Sequence, residues 1–144
     1  MNIPNIIHFI WIGREMPEWA AWNIEQFRRL NPNYEVLIHG EEVLLEKYTA
    51  VYKRLELPCS KADLLRLSAL QKHGGWYFDV DYLPLRPIDD ICSAYLLNET
   101  DTCFITEQNH QKNKSLLVAN GIIGISSDNK LWPEIDKYIF AEQA

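Results

Sequence analysis

An α/β fold, with a mostly parallel sheet flanked by helices, is predicted by three features of the 144-residue sequence. The run Asn5 to Ile12 is almost continuously β-branched or aromatic, the pattern of a strand buried on both faces. Strand-like and helix-like segments then alternate along the chain, as βαβ units require. Finally, a helical pattern ending at His73 passes through Gly74-Gly75 directly into Trp76-Tyr77-Phe78, so that a glycine stop separates a helix from a strand.

Each element has its own warrant. Gly13 ends the first strand, and Pro17 stands where a helix begins, with Trp19, Trp22, Ile24 and Phe27 at helical spacing as far as Leu30. Asn31-Pro32-Asn33 closes that helix, and Tyr34 to His39 reads as the second strand. Glu41 to Tyr48 predicts a short helix with an acidic start, with more helix towards Leu57. Pro58 breaks the chain, and Ser60 is placed to cap a helix running to His73. Trp76 to Asp81 is expected as a strand, followed by turns at Pro84 and Pro87 and a helix over Asp89 to Leu97. Thr102 to Glu107 and Gly121 to Ser126 read as further strands, separated by a polar loop, Asn109 to Lys114. Lys130 to Ala141 reads as a last amphipathic helix. Without repeats or linkers, residues 1–144 read as one domain.

Composition narrows the function. The chain is 47% hydrophobic and carries five Trp, seven Tyr and five Phe, which argues against disorder. Its 20 acidic residues outnumber 14 basic ones, so a partner with a nucleic-acid backbone is not expected. The excess acid is local: residues 1–72 hold 9 Lys/Arg and 9 Asp/Glu, whereas residues 73–144 hold 5 and 11. Cys59, Cys92 and Cys103 form no C-x-x-C pair and read as reduced core thiols of a cytoplasmic protein. The apolar run near the N-terminus contains Pro4 and His8, lacks a basic flank and is too short to span a bilayer. No integral membrane segment is expected, which leaves room for peripheral association with a membrane.

The chemistry concentrates between Asp63 and Asp81. On a strand, Asp79 and Asp81 would share a face while Val80 packs inward. Two carboxylates so placed repel each other unless a cation lies between them, and hard oxygen ligands suit Mg²⁺ or Mn²⁺. Open α/β sheets also bind ligands beyond the carboxyl ends of their strands. Asp63 and Arg66 lie three apart on the preceding helix and share a face. As a surface ion pair they are worth ~0–1 kcal/mol. Beside the Asp79/Asp81 segment they gain a second reading, as an acid for sugar hydroxyls and a guanidinium for the anionic part of a donor.

The blocks Ile3-Pro-x-Ile-Ile-His-Phe-Ile-Trp-Ile-Gly13, Asp63-Leu-Leu-Arg66 and Gly74-Gly-Trp-Tyr-Phe-Asp-Val-Asp81 occur in an order that resembles the glycosyltransferases with a DXD sugar-binding region. These include capsular and lipopolysaccharide sugar transferases, fungal α-mannosyltransferases and the glucosylating domains of clostridial toxins. The resemblance implies a GT-A, Rossmann-like fold and a nucleotide-sugar donor such as a UDP- or GDP-hexose. It also implies Mn²⁺ or Mg²⁺, and transfer with retention to a glycan, lipid-linked or protein acceptor, as in polysaccharide biosynthesis. By the same resemblance, Trp11 stacks on the donor base, Asp63 and Arg66 act at the transferred sugar, and Tyr77 lies near the nucleotide. Asp79 faces the ribose and metal-bound water, Asp81 ligates the metal, and Asn120 belongs to a donor-binding segment. Read from the residues alone, Trp11 and Tyr77 are equally packed strand aromatics, and Asn120-Gly121 a turn before a strand. His8 is expected to pack or hydrogen-bond in its strand, while His39, His73 and His110 have no ligand pattern. Lys112 and Lys114 read as a solvated loop.

Relatives of this kind extend further, so the expectation is a chain truncated on its C-terminal side, with donor binding better supported than turnover. One alternative is therefore a non-catalytic nucleotide-sugar-binding module. Another is a haloacid-dehalogenase-type phosphatase, which also places D-x-D after an apolar strand. Against it, position 83 is Leu and no downstream Lys with an acidic partner is evident.

Overall fold

The computed structural model describes residues 2–108 and 116–141, so the expectations for His110, Lys112 and Lys114 lie outside the described residues. Among the described residues, five strands form one sheet: β1 (Ile6–Ile10), β2 (Glu35–His39), β3 (Gly75–Phe78), β4 (Thr102–Gln108) and β5 (Leu116–Ile125). Their spatial order is β2-β1-β3-β5-β4. β1 pairs in parallel with both β2 and β3, whereas β5 runs antiparallel to β3 and to β4. The sheet is thus mixed: its parallel half is β2-β1-β3, and the antiparallel half is a hairpin of β4 and β5 added at the β3 edge. A hairpin needs no crossover helix, which is why alternation of strand and helix stops after residue 98.

Helices cover both faces. α1 (Glu18–Leu30) and α4 (Ile88–Ala94) lie on one side, where Ile24, Phe27, Ile88 and Cys92 pack on Ile7, Phe9, Val36, Trp76 and Phe78. On the other side, α2 (Thr49–Arg54), α3 (Pro58–His73) and α5 (Trp132–Ala141) bury Val51, Leu65, Leu70 and Trp132 against Ile10, Tyr77, Ile123 and Ile125. The predicted helix at Glu41 resolves into two 3-10 turns, Glu41–Val43 and Glu46–Tyr48, before α2. β1 connects to β2 through α1 on one face, and β2 returns to β3 through α3 on the other. The connections therefore diverge from β1 in opposite directions, and a crevice opens between the carboxyl ends of β1 and β3. Among the described residues, no helix is long and apolar enough to cross a membrane.

Two local expectations are corrected. Ser60 does not cap α3. The helix begins at Pro58 with Leu57 as its N-cap, because proline's fixed φ and missing N–H suit the first helical position. The cysteines are free, but only Cys92 is buried; Cys59 is exposed, since it sits on the first turn of α3 at the crevice.

The glycine stop is a positional requirement. Gly74 ends α3 at φ 65°, and Gly75 opens β3 at φ 114°. A Cβ on Gly75 would lie 2.6 Å from the Ile6 carbonyl oxygen, inside the β1–β3 pairing. Gly75→Ala is expected to cost about 2 kcal/mol, from backbone strain and that contact together. Urea denaturation of the variant checks it, and an unchanged midpoint would refute it.

His8 hydrogen-bonds from its strand, as expected, and His39 and His73 lie beside it. His8 is fully buried on β1, and its Nε2–H donates to the Gly74 carbonyl at 2.8 Å. Its Nδ1 thereby becomes an acceptor and takes a hydrogen bond from His39 Nε2, also at 2.8 Å. His73, the last residue of α3, stacks near both rings, at centroid distances of 5.9 and 6.3 Å. Adjacent strands and a helix end converge here, a juxtaposition that spacing along the sequence does not reveal.

Candidate active site

The crevice between β1 and β3 holds an open cleft of about 440 Å³. Trp11 and Ile12 enter it from the end of β1, Trp19 from α1, Cys59 and Arg66 from α3, and Asp79 and Asp81 from the turn after β3. At its centre, Arg66 gathers the site. The residue is 6% exposed, and its Nη2 lies 3.0 Å from Asp63 Oδ1 and 3.2 Å from Asp79 Oδ1. Its Nη1 donates to the Asn120 carbonyl, and the guanidinium lies 4.3 Å from the centre of the Tyr77 ring. Tyr77 OH donates to the same Asp79 oxygen at 2.7 Å, and Asn120 Nδ2 donates to Asp63 Oδ1 at 3.0 Å. Five of the seven sequence-predicted residues therefore form one network. Trp11 and Asp81 line the same cleft outside it.

The two acids of the DXD segment are not successive residues of one strand face, as alternation predicts. β3 ends at Phe78, and the chain turns immediately, with Tyr82 N–H donating to the Asp79 carbonyl at 3.1 Å. Val80 still packs inward, and its carbonyl accepts from Asn23 of α1 at 2.9 Å, which pins the turn. Asp79 is thereby half-buried and fixed, while Asp81 is exposed at the turn. Asn120 is likewise not in a turn before a strand but inside β5. The β4–β5 register jumps from Phe104↔Ile123 to Ile105↔Ala119, so residues 120–122 face no β4 partner. Such a bulge re-aims side chains, and here it delivers Asn120 to Asp63 and Arg66. Gly121 follows for steric reasons, because a Cβ there would sit 3.0 Å from Asp79 Oδ2.

The electrostatics follow from burial. Desolvation pushes the Asp63 carboxyl above its ordinary range; Arg66 and the Asn120 hydrogen bond oppose that, while Asp79 adds to it. Desolvation likewise raises the Tyr77 hydroxyl, so it stays protonated and donates to Asp79. Tyr77 is thus a core aromatic, 2% exposed, that also borders the cleft. Trp11 is not a core residue: it is half-buried at the strand end, and its indole N–H donates to the Arg14 carbonyl at 2.7 Å.

A divalent ion would find limited protein ligation here. Asp79 Oδ1 is already engaged by Tyr77 and Arg66, whereas Asp81 makes no hydrogen bond or ion pair among the described residues. No group of three or more His, Cys, Asp or Glu side chains among them converges to hold a metal. Two carboxylates on one turn fit Mg²⁺ or Mn²⁺, which take few protein ligands and complete their shells with phosphate and water.

The sequence model of the glycosyltransferase sugar-binding region containing the DXD motif matches residues 17–98. The chain belongs to this DXD glycosyltransferase family. Among its relatives is an uncharacterised glycosyltransferase of Acanthamoeba polyphaga mimivirus, 26% identical over 157 aligned positions that take in 98% of this chain and 57% of that protein. Inositol phosphoceramide mannosyltransferase 3 of Schizosaccharomyces pombe is 29% identical over 96 positions, covering 62% of this chain and 27% of the yeast protein. The fold is that of the PaToxG glycosyltransferase, with a TM-score of 0.70 at 18% identity over 98% of this chain and 62% of the other. This DXD glycosyltransferase chain thus spans little more than half the length of the mimivirus relative. The family match covers Asp63, Arg66, Tyr77, Asp79 and Asp81, but Trp11 and Asn120 lie outside it.

Proposed function

We propose that residues 1–144 act as one nucleotide-sugar-binding domain that transfers a hexose from a UDP- or GDP-linked donor to a glycan, lipid-linked or protein acceptor. The observation that carries this reading is the shared guanidinium of Arg66, which binds Asp63 and Asp79 together at the floor of a cleft whose rim holds Trp11. A flat indole at a strand end suits a nucleobase. Asp63, with one edge towards solvent, suits sugar hydroxyls and favours positive charge developing on the ring. Arg66 sits where negative charge would grow on a departing diphosphate. Asp81, with Asp79, would hold Mn²⁺ or Mg²⁺, which supplies Lewis-acid stabilisation of the leaving group when bound. Retention of configuration rests on the family resemblance alone. A reducing, cytoplasmic setting belongs to the same proposal and is supported by cysteines that stay unpaired.

A phosphatase reading is disfavoured by the same geometry. One oxygen of Asp79, the acid that would have to act as nucleophile, is already held by Tyr77 and Arg66. The test is binding of UDP- and GDP-hexoses with Mn²⁺ or Mg²⁺, followed by measurement of nucleotide release. Binding with slow release supports transfer, and binding without release under any acceptor leaves a binding module. Release of phosphate from a simple monoester without nucleotide-sugar binding would refute the reading. Asp81→Asn is expected to weaken metal-dependent donor binding roughly tenfold or more, with little change in the unfolding midpoint because the side chain is exposed. Unchanged donor affinity would count against the metal site.

A further inference from the structure

The turn after β1 brings a second guanidinium to the cleft. Gly13 adopts φ 91°, and a Cβ there would meet nothing within 4 Å, so its role is to reverse the backbone rather than to make room. The reversal is closed by the Trp11 indole N–H on the Arg14 carbonyl. It folds the Arg14 side chain back over Trp11, with the guanidinium carbon 5.8 Å from the ring centroid. Arg14 is exposed, lines the cleft and forms no ion pair with any described carboxylate. The other basic groups nearby are committed: Arg66 to Asp63 and Asp79, and Lys61 to the Tyr52 ring.

Charge balance states what Arg14 is for. Among the described residues that line the cleft, the cations are Arg14 and Arg66, and Asp79 and Asp81 are the acids, with Asp63 bound to Arg66 just behind. Three carboxylates against Arg66 leave two negative charges, which one divalent ion would cancel. A nucleoside diphosphate donor then brings about two more, and among the described residues that line the cleft Arg14 is the cation left to meet them.

We infer that Arg14 is a donor-binding residue, its guanidinium pairing with the diphosphate while its stem and the Trp11 indole form one wall for the base. An arginine suits both tasks, since its planar cation stacks on an aromatic face and binds phosphate oxygens in pairs. The inference rests on the nucleotide-sugar reading of the cleft and adds to it a contact outside the matched family segment.

The experiment compares the full chain with Arg14→Gln and Arg14→Lys. Titrations use UDP and GDP against uridine and guanosine, in Mn²⁺ at two salt concentrations. Arg14→Gln is expected to lose roughly tenfold in diphosphate affinity, to keep nucleoside affinity within about twofold and to show a shallower salt dependence. Arg14→Lys should recover part of the loss. Diphosphate affinity within about twofold of wild type in Arg14→Gln would overturn the inference while leaving the donor reading intact. Equal losses for nucleosides and diphosphates, without rescue by lysine, would also overturn it and make Arg14 a prop for Trp11. If the unmodified chain binds neither diphosphate, the donor reading itself fails and this contact falls with it.

Discussion

Replacing Arg66 by methionine is expected to cost the site roughly 100- to 1000-fold in nucleotide release from a bound donor, the scale of losing a preorganised charge partner. The fold should suffer less. Asp63 and Asp79 are 47% and 36% exposed as side chains, so water screens what the guanidinium now neutralises, and about 1–2 kcal/mol of stability should be lost. Both carboxylates lean on the same nitrogen, and without it they repel each other across a short gap. Arg66 now opposes the rise that burial imposes on the Asp63 carboxyl, so Asp63 should then bind a proton more readily than in the native chain. Arg66→Lys should not restore release, because an ammonium cannot reach two carboxylates and the Asn120 carbonyl while lying flat on Tyr77. Single-turnover release alongside urea denaturation separates the two effects. Release within about threefold of wild type in Arg66→Met would remove Arg66 from the reacting centre.

Acid should destabilise the fold through two histidines, His8 and His39. Burial drives His8 down from 6.5 to about 4; its bond to the Gly74 carbonyl opposes this, and His39 and His73 add to it. His39 is lowered too, chiefly by burial, with Glu42 pulling upward and His73 and Lys72 downward. A depressed histidine in the folded state means that the unfolded chain binds the proton first. Stability is therefore full above about pH 6.5 and falls as the pH drops towards 4, by on the order of 3 kcal/mol for His8 alone. Urea midpoints at pH 7 and pH 5 should differ, and the His8 ring should stay neutral by NMR at pH 5.5. A flat stability profile between those values would refute the account.

The sequence foretells the parallel half of the sheet well, because its strands are continuous apolar runs and its helices are punctuated by proline and glycine. Gly74-Gly75, for example, marks both the end of α3 and the start of β3. The antiparallel hairpin is less legible. Asn120-Gly121 resembles a turn by composition, yet tertiary pairing holds it inside a bulged strand. At the site, residues close in sequence announce themselves: Asp63 with Arg66, and Asp79 with Asp81. The contact that aims Asp63 does not, since Asn120 reaches it across 57 positions; away from the site, His8 likewise reaches Gly74 across 66. Arg14 escapes notice for a different reason: a lone arginine after a glycine carries no pattern, and only the backbone reversal shows where it goes.

The bulged strand also sets how far the chain can be cut down. Residues 17–98 hold Asp63, Arg66, Asp79 and Asp81 and the tyrosine between them, so an excised fragment with those bounds would carry every carboxylate of the cleft. It would lack β1, which lies between β2 and β3 in the sheet, and β5, whose Asn120 anchors Arg66 and Asp63. The transferable unit for grafting or domain exchange therefore extends from the first strand through the fifth, and a boundary drawn by motif alone would yield two unpaired strands and an unbraced arginine.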